Sequence, residues 1–280
     1  MKIFAFFTSL TFLICSFGCV SVISGSDCQI SKKIYTGTNY KVDVSKYSEN
    51  KDSQKSLLIV PPTGGTNYID KSYASQFCSA GYDVYLLNSW TLASAPEDFD
   101  LDLHQRDYVR GQQAVSLVLN DIKTKFIGLL GTSLGALHGA VAASKQERLN
   151  AVFLIVGGAP IREVIVTSDQ QAMQELFSQR QKNYGFKNTD EYLAALETHF
   201  LLEPMQLDDG FKTKDIGVSI ALNDTTVPTL NQKKLAEYLK PKTVIEHSTS
   251  HFWGIFNTWL FSSQEIIDFF EASQKKQIHG

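Results

Sequence analysis

With 280 residues, 26 Lys plus Arg against 29 Asp plus Glu and a formal net charge of −3, the chain has neither the basic excess of a nucleic-acid binder nor the composition of a disordered tail. Hydrophobic residues make up 43% of it, ample for one large core, so the length reads as one α/β domain with a modest insertion rather than two domains. No basic patch, metal-ligand cluster or phosphate-cradling loop stands out, so no nucleic-acid partner, metal or organic cofactor is expected.

The N-terminus has a different character. Lys2 precedes an apolar run from Ile3 to Ile14, then small residues and Cys19, the layout of a secretory signal rather than of a folded element. Segment 1–24 is therefore expected to direct export, by simple cleavage near Ser24, by cleavage before Cys19, or as an uncleaved anchor. The stretch Ser16, Phe17, Gly18, Cys19 resembles a bacterial lipoprotein signal, which implies lipid on Cys19 and membrane attachment through the N-terminus. Cys28 and Cys78 remain in the mature part, residues 25–280. In an oxidising compartment they are expected to pair; two separately buried thiols are the alternative.

In chain order, residues 25–56 are mixed and polar, with one alternating segment (Tyr40, Val42, Val44) that reads as an edge strand or hairpin. Residues 56–60 form a short apolar strand stopped by Pro61 and Pro62. A helix over 70–80 follows, with Tyr73 and Phe77 on one face and Gly81 as its stop, then a strand over 83–87. Residues 90–107 read as an acidic, solvated loop (Glu97, Asp98, Asp100, Asp102), and 107–120 as a helix.

Residues 125–130 are strand-like and lead into Gly131 to Gly135, GTSLG. This is a G-x-S-x-G pattern between a strand and a helix rich in Ala and Gly over 134–147. It sets Ser133 on a turn so tight that the residues two before and two after must lack a Cβ. Beyond it come a strand over 151–156 and a long segment, 161–215, with helical stretches at 169–182 and 189–200. That segment reads as a small helical insertion over the carboxyl edge of the sheet, either a lid or a crossover helix with a decorated loop. The rhythm resumes with a strand over 218–222, a helix over 229–239 opened by a Thr229–Gln232 capping box, and a strand over 243–246. A last helix is marked by a Ser262–Glu265 capping box, a Phe261–Ile266 staple and a stripe of Ile266, Ile267 and Phe270. Strands alternating with helices make this a doubly wound, mostly parallel α/β sheet with helices on both faces.

A serine hydroxyl needs a general base within hydrogen-bond reach and a carboxylate to orient that base. Asp224, just after the strand over 218–222, and His251, between the last strand and the last helix, stand at strand ends where such groups gather. Asp208 or Asp209 in place of Asp224, and His247 in place of His251, are the alternatives. His138 reads as a packing histidine; His104 and His199 lie in polar loop or insertion contexts.

The order Ser133, Asp224, His251, with GTSLG and NDTTVP around the first two, resembles the α/β-hydrolase fold family over nearly the whole chain after residue 55. The resemblance implies a serine hydrolase with Ser133 as nucleophile, Asp224 as orienting acid and His251 as base. It also implies an oxyanion hole from the backbone N–H groups of Leu134 and Thr63. Pro61 and Pro62 stand where many members have His-Gly, so Thr63 or a glycine after it must supply the second donor. Trp90, Phe252 and Trp253 are expected either to line an apolar acyl pocket or to be plain core. The expected substrate is a small-molecule or lipid ester. A peptidase or thioesterase of the same fold, or a non-catalytic envelope binding protein, remains an alternative.

Overall fold

Unbroken apolar runs in the chain become strands buried on both faces, because helices on both sides of a parallel sheet leave neither face to water. A computed structural model of the chain describes residues 28–38, 40–49, 52–89, 99–200 and 202–279. The expected signal, 1–24, and Trp90 lie outside the described residues. The elements are β1 (Gln29–Gly37), β2 (Tyr40–Ser48), β3 (Lys55–Val60), α1 (Tyr68–Ser79), β4 (Asp83–Ser89), α2 (Leu101–Asp121), β5 (Phe126–Thr132), α3 (Leu134–Lys145), β6 (Ala151–Ile155), α4 (Ile161–Thr167), α5 (Gln171–Tyr184), α6 (Thr189–His199), β7 (Asp215–Ala221), α7 (Thr229–Leu239), β8 (Thr243–His247) and α8 (His251–His279).

Eight strands form one sheet in the order β1-β2-β4-β3-β5-β6-β7-β8. From β4 to β8 all neighbours are parallel, and the hairpin β1–β2 extends the sheet by antiparallel pairing of β2 with β4. Period-two alternation sorts the strand side chains into two cores. Leu58 and Val60 join residues of α2, α3 and α7, whereas Leu57 and Ile59 join residues of α1 and α8. The two faces are thus covered by different helices, as a doubly wound sheet requires.

Three helices differ from the sequence reading. Helix α2 begins at Leu101 rather than near 107, because the Asp100 carboxylate caps it by accepting from the N–H groups of Asp102 and Leu103. Asp100 and Asp102, expected on a solvated loop, therefore sit at a helix N-terminus, where negative charge is favourable. Helix α8 begins at His251 and runs through the expected Ser262–Glu265 cap, so Ser262 is a buried mid-helix residue and Phe261 is exposed instead of stapled. The bulky aromatics between residues 252 and 261, weak helix formers in isolation, hid that first half. Helix α4 went unread because it is one short turn pair behind Gly157, Gly158 and Pro160.

Segment 161–215 contains α4, α5, α6 and two short 3-10 turns, Pro204–Gln206 and Asp209–Thr213. Its Tyr192, Leu196, Phe200 and Phe211 are buried in the same cluster as α2 and α3, so it adds to the core as well as covering the sheet's edge. No helix among the described residues is long and apolar enough to cross a membrane.

The expected disulfide is present. Cys28, at the start of β1, is bonded to Cys78 near the end of α1, with Cα atoms 6.2 Å apart. It holds the outermost strand to a helix on the sheet face. The bond closes a loop of sequence separation 50, which the chain-entropy treatment of the unfolded state values at about 4 kcal/mol. Reduction, or Cys78→Ala, is expected to lower the urea-unfolding free energy by an amount of that order; an unchanged free energy would show that the bond contributes nothing.

Candidate active site

Ser133 is the residue between β5 and α3, with φ 54° and ψ −116°. For a non-glycine residue this is strained backbone, costing ~1–3 kcal/mol, and it is held because its surroundings are over-determined. The Ser133 N–H donates to Ile155 O at 2.8 Å and its carbonyl accepts from Ala136 at 2.9 Å. The flanking glycines are needed for space: a Cβ on Gly131 would stand 2.4 Å from Gly135 O, and one on Gly135 2.2 Å from Val60 O. The sequence pattern GTSLG thus becomes a sharp elbow that leaves Ser133 Oγ at the carboxyl edge of the central strand.

His251 Nε2 stands 3.1 Å from Ser133 Oγ, and His251 Nδ1 stands 2.7 Å from Asp224 Oδ2. The carboxylate only accepts, so Nδ1 carries the proton and Nε2 is left to accept from the serine hydroxyl. His251 lies in the first turn of α8, not in the loop expected from sequence. Asp224 follows β7 and its side chain is fully buried. Burial of a carboxylate is tolerable only when its oxygens are paired. Oδ1 accepts from the N–H groups of Thr226 (2.9 Å) and Val227 (3.0 Å), and Oδ2 accepts from Gln232 Nε2 (2.7 Å) as well as from His251.

Gln232 is the member of this group that sequence reasoning missed. The Thr229–Gln232 pair looked like a capping box, but Pro228 is the N-cap of α7 and makes no side-chain cap bond. Thr229 Oγ1 donates instead to Ala221 O, while buried Gln232 accepts from Ala221 N–H and donates to both Asp224 Oδ2 and Val227 O. Spacing from Asp224 to Gln232 across a loop carries no short-range signature that would have found it.

The alternatives are placed elsewhere. His247 ends β8, and its Nε2 has no hydrogen-bond partner among the described residues. Asp209 pairs with Lys212 on the surface. Leu134 and Thr63 both line the cavity that opens at Ser133, together with Gly64. Leu134 opens α3, where the first N–H groups have no intrahelical acceptor. Thr63 lies in the turn closed by the Gly65 N–H donating to Pro62 O, whose Gly64 and Gly65 both have positive φ.

The cavity is about 380 Å³ and runs under α4 and α5, with Leu137, Ile161, Ile165, Met173 and Leu176 among its walls. Phe252 and Trp253, expected there or in the core, are in neither place: they are 61% and 54% exposed on the outer face of α8. The helical turn that brings His251 inward carries the next two side chains away from the site. Among the described residues no group of three or more His, Cys, Asp or Glu gathers into a cluster that would hold a metal ion.

No protein-family model and no curated protein matches the chain. Solved structures do. An acylaminoacyl peptidase of Pyrococcus horikoshii superimposes with a TM-score of 0.66 at 15% identity over 87% of this chain, which spans only 41% of the peptidase. An esterase of Pyrococcus furiosus gives 0.59 at 14% identity, over 88% of this chain and 91% of that one. An α/β hydrolase of a Penicillium species gives 0.58 at 15% identity, over 88% and 99%. The fold is the α/β-hydrolase fold.

Within this α/β-hydrolase fold two further histidines line the cavity, His104 on α2 and His138 on α3. Burial alone pushes His138 down to about 3; burial, and then the Arg180 guanidinium, push His104 to about 3. Arg180 donates to His104 Nδ1 at 2.8 Å, which fixes that ring as the tautomer with its proton on Nε2. Both cavity histidines are therefore neutral at ordinary pH. Unfolding lets each take a proton near pH 6.5, so between about 6.5 and 3 the unfolded chain binds more protons than the native one. Stability is expected to fall as pH drops through that window. His138→Gln should flatten the dependence by up to ~1.4 kcal/mol per pH unit, measured as urea-unfolding free energy against pH; an unaltered slope would mean that His138 does not resist protonation.

Proposed function

We propose that the chain is an exported serine hydrolase that cleaves an ester through an acyl-enzyme, with Ser133, His251 and Asp224 as its triad. The observation that carries this reading is the unbroken line from Ser133 Oγ through His251 to the fully buried Asp224, at 3.1 and 2.7 Å. A serine aligned in this way is activated, whereas a serine that merely turns the chain needs neither a base nor a strained elbow.

In the reaction Ser133 Oγ attacks the ester carbonyl carbon while its proton passes to His251 Nε2. Asp224 stabilises the imidazolium without taking the proton. In this reading the N–H groups of Leu134 and Thr63, both of which line the cavity at Ser133, hold the oxyanion. The tetrahedral species expels the alcohol, which takes the proton from His251 and leaves the acyl group on Ser133. Water then attacks with His251 as base, releasing the acid and restoring Ser133.

The aliphatic wall that α4 and α5 give the cavity, through Ile161, Val164, Ile165, Met173 and Leu176, favours an apolar acyl or alkyl group, hence a small-molecule or lipid ester. The structural likeness to an acylaminoacyl peptidase keeps amide cleavage as a second reading, as does thioester cleavage on the same machinery. The Cys28–Cys78 bond supports an oxidising, exported location, reached through segment 1–24.

A fluorophosphonate probe is expected to label Ser133 and no other residue; a folded but unlabelled protein sinks the enzyme reading. Ser133→Ala and His251→Ala should each lower kcat/KM by at least about 10⁴-fold on a nitrophenyl ester panel, with His247→Ala near the parent. Equal losses from the two histidine variants would reopen the assignment of the base.

Gln232 has a positioning role in this reading. Gln232→Leu removes one donor from the Asp224 carboxylate and is expected to lower kcat by about 10²-fold with little change in KM. A kcat that stays at the parent value would make Gln232 a loop fastener only.

A further inference from the structure

Helix α8 carries a stripe that the site does not use. Phe252, Trp253, Phe256, Trp259 and Leu260 follow the i, i+1, i+4, i+7, i+8 spacing of one helix face. By helical geometry they flank the face that buries Ile255, Ile266 and Phe270, with Phe256 and Trp259 packed at its margin. Phe252, Trp253 and Leu260 are 61%, 54% and 38% exposed, and Phe256 and Trp259 are half-buried. The rings touch in sequence: Trp253 and Phe252 at 5.5 Å, Phe252 and Phe256 at 6.4 Å, Phe256 and Trp259 at 5.4 Å, then Trp259 and Tyr68 of α1 at 5.8 Å. Tyr68 is 74% exposed. A Trp259 Nε1–H bond to Ser72 Oγ fastens the two helices beneath the patch. A contiguous aromatic surface of this kind on a folded domain marks a contact, not a solvated face.

We propose that this face docks on a lipid surface. The proposal goes beyond the hydrolase reading and does not depend on it. Charge is one reason. Residues 252–264 contain no charged side chain, and on α1 the one exposed charge is the cation Lys71, since Asp70 is buried. By helical geometry Glu265 points away from the stripe and Asp268 lies at its edge, while Glu271, in line with Trp253 about five turns further along α8, is paired with Lys55 at 2.6 Å. Aromatic residues with a lone cation and no facing carboxylate suit the headgroup boundary of a bilayer, where Trp and Tyr settle.

The covalent path of the chain is the other reason. The apolar run Ile3 to Ile14, whose composition suits hydrocarbon, reaches the fold at Cys28. The disulfide ties Cys28 to Cys78, on the same helix that contributes Tyr68. The 14 residues from Ile14 to Cys28 span at most about 50 Å, and α1 is about 18 Å long. An N-terminus held in a bilayer therefore lets this face lie on that same bilayer. Stable attachment generally takes two such signals.

The test uses the full-length chain on vesicles of phosphatidylcholine and phosphatidylglycerol whose acyl chains are brominated close to the headgroup. Part of the tryptophan emission should be quenched, and Trp253→Phe should roughly halve the quenched part, since side chains on an interfacial helix face sit at that depth. The triple variant Tyr68→Ser, Phe252→Ser, Leu260→Ser, checked for native circular dichroism, should lose the Trp253 component. Quenching that is absent, or that Trp253→Phe and the triple variant leave unchanged, overturns the proposal: the chain is then held by its N-terminus alone. A dimer in sedimentation that the triple variant dissolves, with Trp253 unquenched by vesicles, overturns it in favour of a second copy. The readout involves no turnover, so a failed hydrolase assignment leaves the result intact.

Discussion

Helix α3 presses its first turn against the carboxyl ends of β3 and β5, and it does so only because Gly131 and Gly135 have no Cβ to collide with Gly135 O and Val60 O. Everything at the site follows from that close approach. It forces Ser133 to a positive φ, directs Oγ out of the sheet edge, and brings the start of α3 beside the turn after β3 where Thr63 lies. The Ala and Gly residues further along α3 let the same helix stay close to the sheet: a Cβ on Gly139 would meet Leu129 Cδ2 at 2.7 Å. One steric constraint therefore sets both the packing of the central layer and the geometry at Ser133.

The second constraint is electrostatic. A fully buried carboxylate is costly unless each oxygen is paired, and the loop after β7 meets that demand from its own backbone, through Thr226 and Val227, and from α7, through Gln232. The remaining acceptor capacity of Oδ2 faces His251. Because these donors are built into the start of α7, Asp224 is oriented before His251 is considered, and the histidine has one tautomer that satisfies both neighbours. Placing His251 in the first turn of α8 rather than in a loop serves the same end, since a residue carried by a 29-residue helix is held more firmly than one on a free connection.

Legibility in the sequence tracked the range of the physics involved. The buried strands and the GTSLG elbow were readable because their causes are local: apolar runs, Cβ volume, and the spacing of two glycines about Ser133. Asp224 and His251 were readable because strand ends are legible and the chemistry asks for those residue types there. The start of α2 was not, since acidic residues look alike on a solvated loop and at a helix N-terminus until Asp100 is seen to accept from two N–H groups. Gln232 was hidden because its partners lie across a loop, and Phe252 and Trp253 because a helix start shifted by eleven residues, from Ser262 to His251, reverses which way they point.

That shift also explains why α8 can serve two masters. Its buried side is fixed by Ile255, Ile266 and Phe270 against the sheet, and its first residue is fixed by Asp224 and Ser133. Neither requirement constrains the outward face, where folding alone favours Lys, Glu or Gln as good helix formers that keep the surface solvated. The chain instead places aromatic residues there over two and a half turns, at some cost in helix propensity and solubility. Phe256 and Trp259 pack against the core and tie α8 to α1, but the exposed rings of Phe252 and Trp253 add little to the fold in water. Selection for an apolar contact on the helix that begins with His251 is the physical account that fits, and it sets the outer surface of the domain, as well as its interior, by the place where the site has to work.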